Sequence, residues 1–393
     1  MHILFVIDSL VPAGAERSLA DIAPHYVQRG IRLDVAYLHE RPGLHDELRQ
    51  AGARLFSLAG RGGRLGWTAR AASVIRERRP QLVHTTLFEA DLSGRVAARL
   101  TRTPVVSTIT GQKYGPEHFA SPDLDPRKLY VAQRLDIATA RLTRRIHAVS
   151  TVIADSTARR LRYPRGRIDV VPRGRDAERL GCRTAERRER ARMSLGIGAR
   201  IPVVLTVARH DHLKGVDVLI ESLPAVTARH PEVRVLVAGR EGAQTEALAA
   251  RARELGLRDV ITFLGVRDDV AELMCAADVF VLPSRREGLP GSLLEAMALE
   301  VPIVATDIPQ LREVVDERCA LLVPPERPER LSFAIAAVLD DRDAAQRRAQ
   351  VARLVFGRRF TIDRIADEML AFYERSIRAS VQAETMLARE AVP

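Results

Sequence analysis

The chain is 393 residues long, 46% apolar but only 4% aromatic, and carries a formal net charge of +11. That length and apolar share suit two soluble globular domains, each with its own core. They argue against a membrane-spanning protein: no apolar run approaches the length needed, and "MHILFVIDSL" holds only five consecutive apolar residues with no basic residue before them, too short for a secretory leader. A cytoplasmic location is expected. Cys182, Cys275 and Cys319 are odd in number and lack metal-ligand spacing, so free thiols are expected and neither a disulfide framework nor a metal site.

Short β-branched runs alternate with helical-length amphipathic segments along the chain. In the first half the runs are "HILFVI" (2–7), "LDVAYL" (33–38), "QLVHTT" (81–86), "PVVSTI" (104–109), "RIHAVS" (145–150) and "IDVVP" (168–172). The second half repeats the plan with "PVVLTVA" (202–208), "VRVLVAG" (233–239), "ITFLG" (261–265), "VFVLPS" (279–284), "PIVATD" (302–307) and "ALLVPP" (320–325). This alternation predicts α/β architecture: two tandem Rossmann-like, doubly wound domains whose parallel sheets are covered on both faces. The charged stretch 173–200 reads as a linker leading into a helix, with the domain boundary near residue 175. Three amphipathic helices close the chain, and a surface tail is expected from about residue 379.

Charge divides the same way. Residues 1–200 carry 36 Lys and Arg against 20 Asp and Glu, whereas residues 201–393 carry 25 against 30. The basic half fits an acidic acceptor or an anionic membrane face, or simply a solvated arginine-rich surface. With few aromatics and no zinc-finger, RNP-type or helix-turn-helix signature, a nucleic-acid partner is not expected.

Ligands of such sheets bind beyond the carboxyl ends of the strands, and the suggestive residues fall there. Gly14 follows the first strand in a loop that leads into a helix; without a complete GxGxxG it does not by itself indicate a dinucleotide. After the run at 202–208, Arg209 and Lys214 bracket a short loop closed by Gly215, a pair suited to a diphosphate. Only Lys113, Lys128 and Lys214 are lysines, against 58 arginines, so a lysine at 214 suggests a need for a compact ammonium. The stretch "EGLPGSLLEAMA" (287–298) holds two glutamates eight positions apart. Ser292 and Glu295 read as a capping box, which leaves Glu287 unexplained beside glycines that free backbone N–H groups for an anion at a helix start.

Three segments, "ARHDHLKGVDVLIESL", the run from "FLGVRDDV" through "SRREGLPGSLLEAMALEVPIVATDIPQLREVV", and the amino-terminal "GAERSL", resemble glycosyltransferase family 4, whose members have the GT-B fold. The likeness covers about residues 1–377. It implies an acceptor-binding domain at 1–175, a nucleotide-sugar domain at 176–360, a deep cleft between them and a terminal helix (361–393) returning to the first domain. It further implies that Glu287 orients the donor sugar, that Arg209 and Lys214 neutralise the diphosphate, and that Glu295 binds the ribose. Backbone groups around Gly288, Leu289, Pro290, Gly291 and Ser292 would meet the phosphates, and those of Val266 or Arg267 the nucleobase.

The chemistry implied is glycosyl transfer with retention and without a metal or other cofactor, the nucleoside-diphosphate sugar being a substrate. Two departures stand out. Thr110 occupies the position where many members carry a histidine after the fourth amino-terminal strand, and Pro309–Gln310 replaces a usual glycine pair. His84 reads as a packed histidine. The acceptor expected is an acidic or lipid-linked glycan, with peripheral membrane docking through Trp67 or a helix within 127–145; a soluble acceptor is the alternative. A sugar-nucleotide epimerase and a non-enzymatic basic adaptor are the competing classes.

Overall fold

The computed structural model describes residues 1–119 and 124–390. The chain forms two compact units, Met1–Gly174 together with 362–393, and Arg175–Thr361. The last three residues of the expected tail lie outside the described residues.

The first unit is built on seven parallel strands, β1 (His2–Ile7), β2 (Arg32–Tyr37), β3 (Arg54–Ser57), β4 (Leu82–Thr86), β5 (Val105–Ile109), β6 (Arg145–Ala148) and β7 (Ile168–Val170). They lie in the order β3-β2-β1-β4-β5-β6-β7, so the winding reverses between β1 and β4. Six match the apolar runs of the sequence. β3, with exposed Arg54 and Ser57 at the sheet edge, is too short and polar to stand out. Thr110 therefore follows the fifth strand, not the fourth.

Apolar side chains cover both faces of this sheet, as parallel sheets require. On one face the helix Ile362–Glu390 lays Ile365, Met369, Phe372 and Tyr373 into the cluster of Ile3, Phe5, Leu19 and Tyr26. A chain of hydrogen bonds runs beneath it. His147 Nε2 lies 2.7 Å from the Val171 carbonyl, which can only accept, so Nε2 carries the proton and Nδ1 accepts from Thr108 Oγ1 at 2.8 Å. Thr108 then accepts from His84 Nε2 at 2.6 Å, and His84 Nδ1 accepts from Tyr373 Oη at 2.7 Å. Burial pushes both imidazoles below their ordinary range, His147 to about 4. His84 is thus a packed, neutral histidine.

The second unit has six parallel strands, β8 (Val203–Val207), β9 (Arg234–Ala238), β10 (Ile261–Gly265), β11 (Val279–Leu282), β12 (Ile303–Thr306) and β13 (Leu321–Val323). Their order is β10-β9-β8-β11-β12-β13, with the reversal between β8 and β11. The stretch read as a linker is instead part of this unit. Asp176 and Thr184 cap the helices Ala177–Leu180 and Ala185–Ser194. From the second helix Arg188 and Arg192 reach Asp278 at 2.5 and 2.7 Å, and Arg192 also donates to the Ile201 carbonyl at 2.7 Å. Charge density suggested solvation; these guanidiniums are spent on carbonyls and one carboxylate at the base of β11.

Among the described residues, no helix is long and apolar enough to cross a membrane.

Candidate functional site

The second sheet reverses between β8 and β11, so the loops leaving their carboxyl ends diverge and open a crevice. Lys214 ends a 3₁₀ turn (His212–Lys214) after β8, and Glu287 lies in the loop after β11. Gly215 brings them together. Its φ is +66°, and a Cβ there would stand 2.0 Å from the Pro283 carbonyl oxygen, so only glycine lets the lysine turn lie against the start of the glutamate loop. Lys214 Nζ then donates to both oxygens of Glu287, at 2.8 and 2.7 Å. Ser284 Oγ donates to Glu287 Oε1 at 2.7 Å. Glu287 is only 7% exposed, while the lysine keeps about a quarter of its side chain in solvent. A buried carboxylate with an ammonium at its open side presents a fixed positive charge to the crevice.

Arg285, from the same loop, grips Asp217 with both Nη atoms at 2.8 and 2.7 Å and the His212 carbonyl at 2.7 Å. This brace ties the loop to the helix Val216–Arg229 that follows the lysine turn. Neither Ser284 nor Arg285 was singled out from sequence; both flank the glutamate motif, but only the fold reveals their partners.

Beyond Glu287 the chain passes buried Leu289 and Pro290 into the helix Gly291–Ala298. Here the expected capping box fails. The helix starts two residues earlier than predicted, Pro290 in place of Ser292 is its N-cap, and no side chain caps it. Gly291 and Ser292 are the first two helical residues, so their N–H groups belong to the orphan set that an anion satisfies. Glu295, a turn in, is paired with Arg175: Nε donates to Oε1 at 2.7 Å.

The other predicted residues lie apart from the Lys214–Glu287 pair. Arg209 is half exposed and held by Asp211, its Nε and Nη2 at 2.6 and 2.5 Å from Oδ2, without a bond to Glu287. Val266 is exposed, and Arg267 is tied to Asp269 at 2.7 and 2.5 Å on the loop after β10. β10 stands two strand spacings from β8, about 10 Å. Gly14 belongs to the first unit, where it begins the helix Gly14–Gln28. A Cβ there would lie 3.0 Å from Arg173 Nη1, so its missing side chain accommodates a guanidinium of the chain itself. Thr110 lines a small apolar cavity of about 70 Å³ in that unit, with Phe5, Leu19, His147, Ile362 and Met369. Pro309 and Gln310 open the short helix Pro309–Arg312, with Gln310 buried. Among the described residues no three His, Cys, Asp or Glu side chains gather as a metal would need.

Comparison with known proteins agrees with this architecture. The family model for Glycosyltransferase Family 4 matches residues 12–179, and that for Glycosyl transferases group 1 matches residues 201–341. A D-inositol 3-phosphate glycosyltransferase of Segniliparus rotundus is 34% identical over 225 residues, 55% of this chain and 49% of that protein. The lipopolysaccharide core biosynthesis mannosyltransferase LpsB of Rhizobium meliloti is 33% identical over 48% of this chain and 56% of its own length. The chain thus spans about half the length of these curated relatives. An alpha-D-kanosaminyltransferase of Streptomyces kanamyceticus matches more widely, 26% identical over 79% of this chain and 81% of that one. In fold, the chain superposes on Anabaena Alr3699/HepE in complex with UDP-glucose with a TM-score of 0.85, at 24% identity over 95% of this chain and 100% of that chain. With two glycosyltransferase models matched in succession, and the two doubly wound sheets of a GT-B protein, the chain belongs to the family 4 glycosyltransferases.

Proposed function

We propose that the protein is a retaining, metal-independent glycosyltransferase that moves a sugar from a nucleoside-diphosphate sugar to a lipid-linked or polysaccharide acceptor. The observation that carries this is the Lys214–Glu287 pair, held at the β8/β11 reversal beside the uncapped start of the helix Gly291–Ala298. As the bond between sugar and diphosphate breaks, negative charge grows on the departing phosphate. A fixed ammonium and free helical N–H groups aimed at that charge lower the barrier, because they are oriented before the reaction begins. Glu287, kept in place by Ser284, orients the lysine and faces the donor sugar. Arg209 joins the phosphates by exchanging its contact with Asp211 for them. Val266 and Arg267 offer backbone groups to the base.

The names of the relatives support a nucleotide-sugar enzyme but differ in acceptor: one acts on inositol 3-phosphate and another in lipopolysaccharide core synthesis. The lipid-linked reading is favoured by the helix Pro126–Ala140 of the first unit. It exposes Tyr130, Val131 and Leu135 beside Arg127, Lys128 and Arg134, and turns Asp136 inward onto Arg95. Apolar and basic side chains on one outer face suit an anionic bilayer surface. Trp67 does not share that role: it is half-buried and stacks edge-on against His39 at 5.1 Å.

The test is turnover of UDP-, GDP- and ADP-sugars by the full chain in EDTA, with and without extracted membrane lipid, and proton NMR of the first product formed. One donor class should be consumed, EDTA should leave the rate unchanged, and the product should keep the donor's anomeric configuration. An inverted anomer, a rate abolished by EDTA, or no consumption of any donor would overturn the proposal.

A further inference from the structure

Arg175 is not among the residues that the sequence motifs single out, yet it is as deeply buried as Glu287, at 5% exposed against 7%. It is the first residue of the second unit, and its backbone is fixed there: its N–H donates to the Phe360 carbonyl at 2.9 Å, and it bridges Thr361 in parallel register. From this anchored position the guanidinium crosses to the helix Gly291–Ala298 and donates to Glu295 Oε1. It lies so close to the helix start that a Cβ on Gly291 would stand 1.6 Å from Nη2. The glycine is the clearance that lets the arginine in. Among the described residues Glu295 Oε2 accepts no bond from the chain, so one carboxylate oxygen is held and the other is presented.

We infer that Arg175 is a positioning residue for the donor: it fixes the Glu295 rotamer so that Oε2 meets a ribose hydroxyl, and it does so from the segment where the chain enters the second unit. The inference rests on the proposed role of Glu295 and adds a residue to it. A carboxylate on an exposed helical turn samples several rotamers; a buried guanidinium anchored through its own backbone leaves one, removing the entropy that ribose binding would otherwise cost. A guanidinium beside the positive end of a helix is also unfavourable alone, so this arrangement becomes more favourable when a diphosphate arrives.

The experiment compares affinities of the full chain for the tightest of UDP, GDP and ADP and for its 2′-deoxy and 3′-deoxy counterparts. A merely structural arginine would weaken all of them alike; a positioning arginine alters only the ratio between ribose and deoxyribose ligands. Wild type should prefer the ribonucleotide by about tenfold or more over at least one deoxy ligand, the value of a hydrogen bond to a charged group. Arg175→Gln and Glu295→Gln should each bring that ratio to within about twofold of unity, and the double variant should be no worse than either single one. Gly291→Ala gives an independent route, since its methyl displaces the guanidinium without removing it, and it decides the matter should Arg175→Gln not fold. A wild-type ratio in both Arg175→Gln and Gly291→Ala, with the ratio lost in Glu295→Gln, would overturn the inference and leave the donor site standing. If wild type itself does not distinguish ribose from deoxyribose, the role of Glu295 falls, and this inference falls with it.

Discussion

Lys214 and Glu287 satisfy each other before any ligand arrives, so they are a stability element as well as a candidate catalytic pair. Lys214→Ala leaves a nearly buried carboxylate facing Ser284 alone. Because the lysine is partly solvated, we expect a loss of about 1–3 kcal/mol in stability alongside lost turnover. Glu287→Gln keeps an acceptor for Ser284 and removes the charge; its turnover should fall about 10²- to 10³-fold with a smaller change in unfolding midpoint. Glu295→Ala is expected to destabilise by removing the carboxylate to which Arg175 Nε donates, since the helix has no side-chain cap to lose. In the first unit Asp8, at the end of β1, accepts the Ala90 N–H at 2.7 Å, and burial pushes its carboxyl up to about 7. The protonated form is then favoured in the fold, and stability is lost as pH rises from about 4 to about 7. Asp8→Asn keeps the acceptor without the charge. Its unfolding free energy should match wild type near pH 4 and exceed it at pH 8 by an amount on the order of 4 kcal/mol, with a correspondingly higher midpoint. An equal midpoint at pH 8 would refute this.

At the scale of elements, the helix Ala185–Ser194 is the clearest test of how charge is used. Asp278 collects Arg188, Arg192 and the Val203 N–H. Asp278→Ala strands a buried arginine and should cost about 3–5 kcal/mol by chemical unfolding. The helix Pro126–Ala140 makes the opposite use of its face. Val131→Glu with Leu135→Glu should leave folding intact and lower binding to vesicles of anionic lipid at least about tenfold; unchanged binding would remove the membrane reading. These two helices also mark where sequence succeeded and stopped. Twelve strands were legible because β-branched runs between helical segments have no other stable arrangement, whereas β3 is a four-residue edge strand with no such signature. Lys214 and Glu287 were legible because each sits in a loop that glycine makes tight. Arg175 was not, because its partner is 120 residues away and nothing in local spacing couples them. The arginines of 183–192 misled for a related reason: a charge run looks the same whether solvated or aimed at buried carbonyls.

For the molecule as a whole, the second unit is an insertion into the first: the chain leaves at Gly174 and returns at Ile362. The returning helix completes the first core and supplies Tyr373 to His84, so deleting residues 362–393 should expose Phe5, Leu19 and Tyr26 and give insoluble or unfolded protein rather than a shorter enzyme. Soluble, cooperatively unfolding truncated protein would contradict this. The donor-site claim concerns the second unit and can be tested without knowing the acceptor. Thermal unfolding of the full chain is measured in EDTA with UDP, GDP, ADP, CMP and their sugar conjugates, on wild type and Lys214→Met, each against its own ligand-free midpoint. A ligand at 100 times its dissociation constant adds about 2.7 kcal/mol, a shift of several degrees. One nucleoside diphosphate should raise the wild-type midpoint by that much and the variant's by far less. An equal shift in both would separate Lys214 from the phosphates, and no shift with any nucleotide would leave a family 4 fold that binds no donor.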